Sequence, residues 1–193
     1  PNLMVLSLPN DHSAGTSPNF PTPDAMVADN DLAVGRIMEM ISKSKYWDST
    51  VVFITQDDSQ GGWDHISAYR TVGMVASPYS SGKLVSTHYN QVSMLRTIEQ
   101  ILGIPPMNIM DATSRLMTDC FQSNPNKAVY VARPNNIPLD KMNKPLHALR
   151  GKERKLAELS QNELFKEVDG GRDDEMNKVI WFYTKGNKAY PKN

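Results

Sequence analysis

The run Thr50-Val51-Val52-Phe53-Ile54-Thr55, delivered directly into Asp57-Asp58, constrains this chain more than any other feature. A short β-branched apolar run bounded by polar residues reads as a buried strand. Two adjacent carboxylates at a strand exit repel each other as they lose hydration, and a divalent cation supplies the missing positive charge. Gly61-Gly62 then lets the backbone turn sharply and returns Asp64-His65 toward the same place. The segment predicts a metal site at the carboxyl edge of a sheet.

Charge narrows the partners. Among 193 residues, 21 acidic side chains balance 21 basic ones and no basic block stands out. Nucleic acid is therefore not the expected partner. No apolar run approaches the roughly 20 residues that span a bilayer. Cys120 is the single cysteine, so no intrachain disulfide can form. The chain opens at Pro1 and enters Leu3-Met4-Val5-Leu6-Ser7-Leu8, a buried-strand pattern, after two residues. It reads as the later part of a longer polypeptide.

Residues 9–23 are rich in Pro, Ser, Asn and Thr and form a loop. A helix follows, with Thr22 or Asp24 as cap, Pro23 in its first turn and an apolar stripe of Met26, Leu32, Ala33, Ile37, Met40 and Ile41. It fades between Ser42 and Lys45. Thr71 to Ala76 reads as another buried strand, ended by Ser77-Pro78. Asn90 or Gln91 starts a second helix, stopped by Gly103 and confirmed by Pro105-Pro106. This alternation predicts an α/β layered domain with a mostly parallel sheet over residues 1–103. Residues 104–150 form an extended arm. Residues 151–193 carry two helices, 152–168 and 173–184, separated by Gly170-Gly171 and packed on the same domain.

Three of the four histidines lie within residues 12–88. His12 follows the first strand in Asn10-Asp11-His12, His65 closes the glycine loop, and His88 stands just before the second helix. Parallel sheets bind ligands outside the carboxyl ends of their strands, so His12, Asp57, Asp58, His65 and His88 are candidates for one rim. Carboxylate plus imidazole donors suit Zn, Mn or Fe, whereas an all-oxygen shell suits Ca or Mg. Blander readings compete. A lone Asp-Asp pair is more often a solvated turn, and Asp64-His65 can be a structural pair. Asp29 and Asp31 suit the start of a helix by charge alone. His147 reads as surface, the methionines as core, and Cys120 as an ordinary small residue. Gly-x-Ser-x-Gly, a P-loop and a dinucleotide fingerprint are all absent.

Several segments in combination carry a family resemblance. They are Leu8-Pro9-Asn10-Asp11-His12-Ser13-Ala14-Gly15-Thr16, Met26 through Ile37, and Asp57-Asp58 with Gly61-Gly62 and Asp64-His65. Ser93-Met94-Leu95-Arg96-Thr97-Ile98-Glu99, Gly103-Ile104-Pro105-Pro106-Met107 and Leu139 to Asn143 add to them, as does the stretch from Asn177 to Gly186. The chain resembles the C-terminal half of a phosphoesterase domain of the alkaline phosphatase superfamily, the branch with bacterial phospholipase C and acid phosphatase relatives. The likeness is nearest to bacterial proteins in which such a domain follows a β-propeller.

The resemblance implies the C-terminal portion of a three-layer α/β sandwich and a secreted, periplasmic or cell-surface hydrolase of phosphate esters. It implies divalent metal, Zn first and then Mn, Fe or Ca, at Asp57 and Asp58 with His88 as a late ligand. His12 and His65 fall in the active site, with Asp11 beside the substrate. The Ser or Thr nucleophile of the family lies in an N-terminal half that this chain does not hold. That half and a propeller are the expected partners, together with the phosphate-ester substrate. Two other readings stay open: a non-catalytic cell-surface binding or assembly domain with an incomplete site, and a sulfatase or phosphonate hydrolase of the same superfamily.

Overall fold

A computed structural model describes residues 1–56, 70–162 and 173–191. The architecture is mixed α/β. Helix α1 runs over Pro23–Ser42, strand β1 over Val52–Thr55, strand β2 over Gly73–Ala76 and helix α2 over Gln91–Leu102. A single-turn helix α3 (Ile109–Ala112), helix α4 (Gly151–Ser160) and helix α5 (Asp173–Lys185) follow. No described helix is long and apolar enough to cross a membrane. The chain divides into two compact units: residues 1–5, 39–56 and 70–130 in one, and residues 6–38, 131–162 and 173–191 in the other.

In the first unit, β1 and β2 pair antiparallel, with Val52 opposite Ala76 and Thr55 opposite Gly73. This differs from the parallel arrangement expected. A parallel pair needs a crossover of a dozen residues or so, commonly a helix, whereas chain that turns back directly returns antiparallel. Two strands alone are marginal, and the pair is buttressed. Phe53 meets Phe121 edge-on with ring centroids 6.4 Å apart. Beyond β2, Ser81 N–H donates to Cys120 O at 2.8 Å, Gln122 N–H to Tyr79 O at 2.8 Å and Asn126 N–H to Pro78 O at 2.7 Å. These bonds zip residues 78–81 to residues 120–126. Trp47, buried, packs edge-on against Tyr130 at 6.0 Å.

Helix α2 forms where its capping signals place it. The Asn90 side chain accepts from Ser93 N–H at 2.8 Å, and the Ser93 hydroxyl faces the Asn90 N–H in return. This reciprocal arrangement satisfies donors that a helix start leaves open. At the other end Gly103 takes φ +69°, the left-handed cap that glycine adopts without a Cβ penalty.

The second unit is cored by Ala25, Leu32 and Met38 of α1, Leu149, Ala157 of α4, and Met176 and Val179 of α5. Helix α1 matches its expected span. Met40, however, is 66% exposed and lies off the buried stripe. Met107 and Met110 are exposed as well, so the reading of methionines as core holds for Met38, Met117 and Met176 but not for these. Helix α4 closes at Ser160 rather than at residue 168. Gln161 N–H returns to Glu158 O and Asn162 N–H to Leu159 O, the i to i−3 bonds that tighten a last turn.

The expected first strand is absent. Residues 1–8 form no strand, and Leu3, Met4, Val5 and Leu6 are 52–86% exposed. Strand propensity becomes a strand only when a neighbouring strand takes up the backbone donors and acceptors. None of the described residues does so here.

Candidate functional site

Strand β1 ends at Thr55, and Gln56 prolongs it. Gln56 N–H reaches Val72 O at 3.4 Å, and its side-chain oxygen accepts from the Thr71 hydroxyl at 2.6 Å. The Gln56 carbonyl in turn accepts from Gln91 Nε2 at 3.3 Å. One bond thus joins the residue before Asp57 to the first residue of α2. His88 stands three positions ahead of Gln91. It is exposed, and no hydrogen bond or ion pair engages its imidazole among the described residues. The carboxyl end of β1 and the His88 loop therefore share one corner of the first unit.

The His88 loop is held from both sides. Thr87 Oγ1 donates to Asp119 Oδ2 at 2.5 Å. The Tyr89 hydroxyl, buried, faces the same carboxylate without closing a well-aligned bond. The hydroxyls of Thr87 and Tyr89 hold Asp119 below the usual carboxylate range. Burial first, and then the Asp119 charge, push the Tyr89 phenol up. Burial likewise pushes the Cys120 thiol up, as expected of an unreactive packed cysteine.

Asp57, Asp58 and His65 lie outside the described residues, as does the Gly61-Gly62 turn. Among the described residues no group of three or more His, Cys, Asp or Glu side chains is arranged to hold a metal ion. Asp11 and His12 belong to the second unit. Asp11 ends a 3-10 turn, Pro9–Asp11, and the exposed His12 caps it, its backbone N–H returning to Pro9 O at 3.1 Å. His12 therefore does not follow a strand, contrary to the sequence expectation, because residues 3–8 form none. His147 is exposed, as expected.

What anchors the His12 turn was not singled out from sequence. Asn10 donates its side-chain amide to Asp29 of α1, giving Asp29 a role beyond the helix dipole. Gly15, at φ +59°, packs so closely on α4 and α5 that an added Cβ would lie 2.7 Å from Ser160 Oγ and 2.9 Å from Met176 Sδ. Thr16 N–H donates to Ser160 Oγ at 3.1 Å. Asn143 Nδ2 reaches the carbonyls of Gly15, Ser17 and Pro21 at 3.0, 2.9 and 3.2 Å. The resemblance had included Gly15 and Asn143; their tertiary role was not visible, because the partners stand more than 100 positions away.

Residues 21–105 match the sequence model of the Phosphoesterase family. The matched span is less than half of the chain. It contains α1, both strands, Asp57, Asp58, His65, His88 and α2; Asp11 and His12 precede it. The match supports a phosphoesterase domain there and, in general terms, hydrolysis of phosphate esters. No curated protein and no solved structure matches the chain.

Proposed function

We propose that this chain forms part of a metal-dependent phosphate-ester hydrolase, with Asp57, Asp58 and His88 as metal ligands. The reading rests on the family match over residues 21–105. The Gln91 to Gln56 hydrogen bond favours the ligand set, because it ties the residue preceding Asp57 to the helix that His88 precedes. Two carboxylates and an exposed imidazole are a donor set that fits Zn, then Mn or Fe, better than an all-oxygen cation such as Ca. A bound ion of this kind polarises a phosphoryl oxygen and lowers the pKa of an attacking hydroxyl. His65 contacts the transferred oxygens. The attacking Ser or Thr comes from polypeptide beyond this chain. The parent architecture in this reading is the alkaline phosphatase-like sandwich, attached to a β-propeller and placed in the periplasm, at the cell surface or outside the cell.

Hydrolysis assays on the full-length protein test this, with p-nitrophenyl phosphate, bis-p-nitrophenyl phosphate and p-nitrophenyl sulfate as substrates. The expected result is turnover of a phosphate ester and a loss of about a hundredfold or more in kcat/KM for Asp57→Ala, the scale of removing one strong charge-stabilising group. Turnover of the sulfate alone moves the assignment to a sulfatase. Unchanged activity in Asp57→Ala removes the metal role.

A further inference from the structure

Glu99 and Asp111, away from the proposed site, are each only 1% exposed, and among the described residues no basic side chain reaches them at hydrogen-bond distance. Asp111 is well satisfied, accepting three bonds and keeping an acceptor site on Oδ2. Its Oδ1 accepts from Asn108 N–H at 2.9 Å and Ala112 N–H at 2.8 Å, and its Oδ2 accepts from Met107 N–H at 2.9 Å. Three backbone donors hold it as a carboxylate. Glu99 is the opposite case. Neither of its carboxyl oxygens receives a well-formed hydrogen bond. Arg96 Nη1, one turn back on α2, lies 3.6 Å from Oε2, and the Met107 N–H is closed on Asp111. An ionised Glu99 would leave two anions together in the interior, one of them without a donor, which burial penalises heavily.

We propose that Glu99 is protonated in the folded protein and donates its O–H to Asp111, so that one shared proton fastens α2 to the Met107–Ala112 turn. Helix α2 packs against the turn that carries Asp111, and the ionisation of each carboxyl is shifted by the other. Asn108, whose side chain accepts from Met110 N–H at 2.8 Å, completes the turn that the proton holds. The groups facing Glu99 are Asp111 and Met107 N–H from the turn and Arg96 from its own helix. Burial and then Asp111 raise the Glu99 carboxyl, while Met107 and Arg96 oppose them.

A raised folded value makes this contribution complete below the unfolded glutamate value of about 4.3, and it is lost as pH rises through the folded value. Urea unfolding of the whole chain from pH 4 upward, wild type beside Glu99→Gln, tests this. The glutamine amide donates to Asp111 at every pH. The ratio of folding constants, variant over wild type, should rise roughly tenfold per pH unit above the unfolded value and level off at the folded one. A ratio that stays flat overturns the proposal. Should Glu99→Gln not fold, a carbon-13 NMR titration of the wild-type Glu99 carboxyl decides. Titration above the ordinary glutamate range supports the shared proton, and titration within it overturns the proposal.

Discussion

Gly15 occupies a place that a side chain can scarcely enter. Its φ of +59° disfavours an L side chain, and Ser160, Met176 and Val179 crowd the position where a Cβ would stand. Gly15→Ala should therefore destabilise the chain by roughly 2 kcal/mol, read as a lowered urea midpoint at unchanged slope. An unaltered midpoint would show that the His12 turn is not anchored through Gly15. At this scale the sequence was partly legible. Asn90 and Gly103 declared their capping roles because capping is local chemistry. Asn143 and Asp29 did not, since their work is to satisfy backbone or amide groups brought near only by the tertiary fold. Burial misled for Met40, because helical spacing marks a face without saying whether anything covers it.

Elements in the second unit are joined by charge as well as by apolar packing. Asp24, in the first turn of α1, accepts from Lys141 Nζ at 2.7 Å and from the Tyr183 hydroxyl of α5 at 2.6 Å. The Lys141 ammonium also lies 5.6 Å from the centre of the Tyr183 ring. Burial alone would raise Asp24, but the hydrogen bonds from Lys141 and Tyr183 outweigh it and hold the carboxyl well below its usual range. A depressed folded value gives stability that is present above the unfolded value of about 3.9 and lost as pH falls toward the folded one. Solvent screening of the half-exposed lysine keeps the worth of this junction to about 1 kcal/mol. Asp24→Asn should cost that much near neutrality, and the gap to wild type should narrow as unfolding is followed down through pH 4. A gap independent of pH would place the cost in packing and not in charge. The helices flanking the strands, and the strands themselves, could be read from periodicity and caps. The pairing direction of the strands could not, because it depends on how chain returns between them. Nor could the missing strand at residues 3–8 be foreseen, since a strand needs a partner that no local pattern reveals.

At the scale of the whole molecule, the proposed function rests on a metal corner that Asp57, Asp58 and His88 would form from segments distant in sequence. The histidines and the acidic pair were legible as candidates because their chemistry is unusual for their positions. The approach of β1 to α2 was not legible. Gln56 and Gln91, the residues that close the first unit around β1 and α2, carry no motif and met only through the fold. The most direct measurement is the metal content of this chain after equilibration with zinc and removal of loosely bound ion, for wild type, Asp57→Ala, Asp58→Ala, His88→Ala and His147→Ala. This readout needs no catalytic nucleophile. Tightly held zinc in the wild type and in His147→Ala, and its loss from the other three variants, is the expected result. Equal zinc in all five proteins, or none in the wild type, would contradict the assignment.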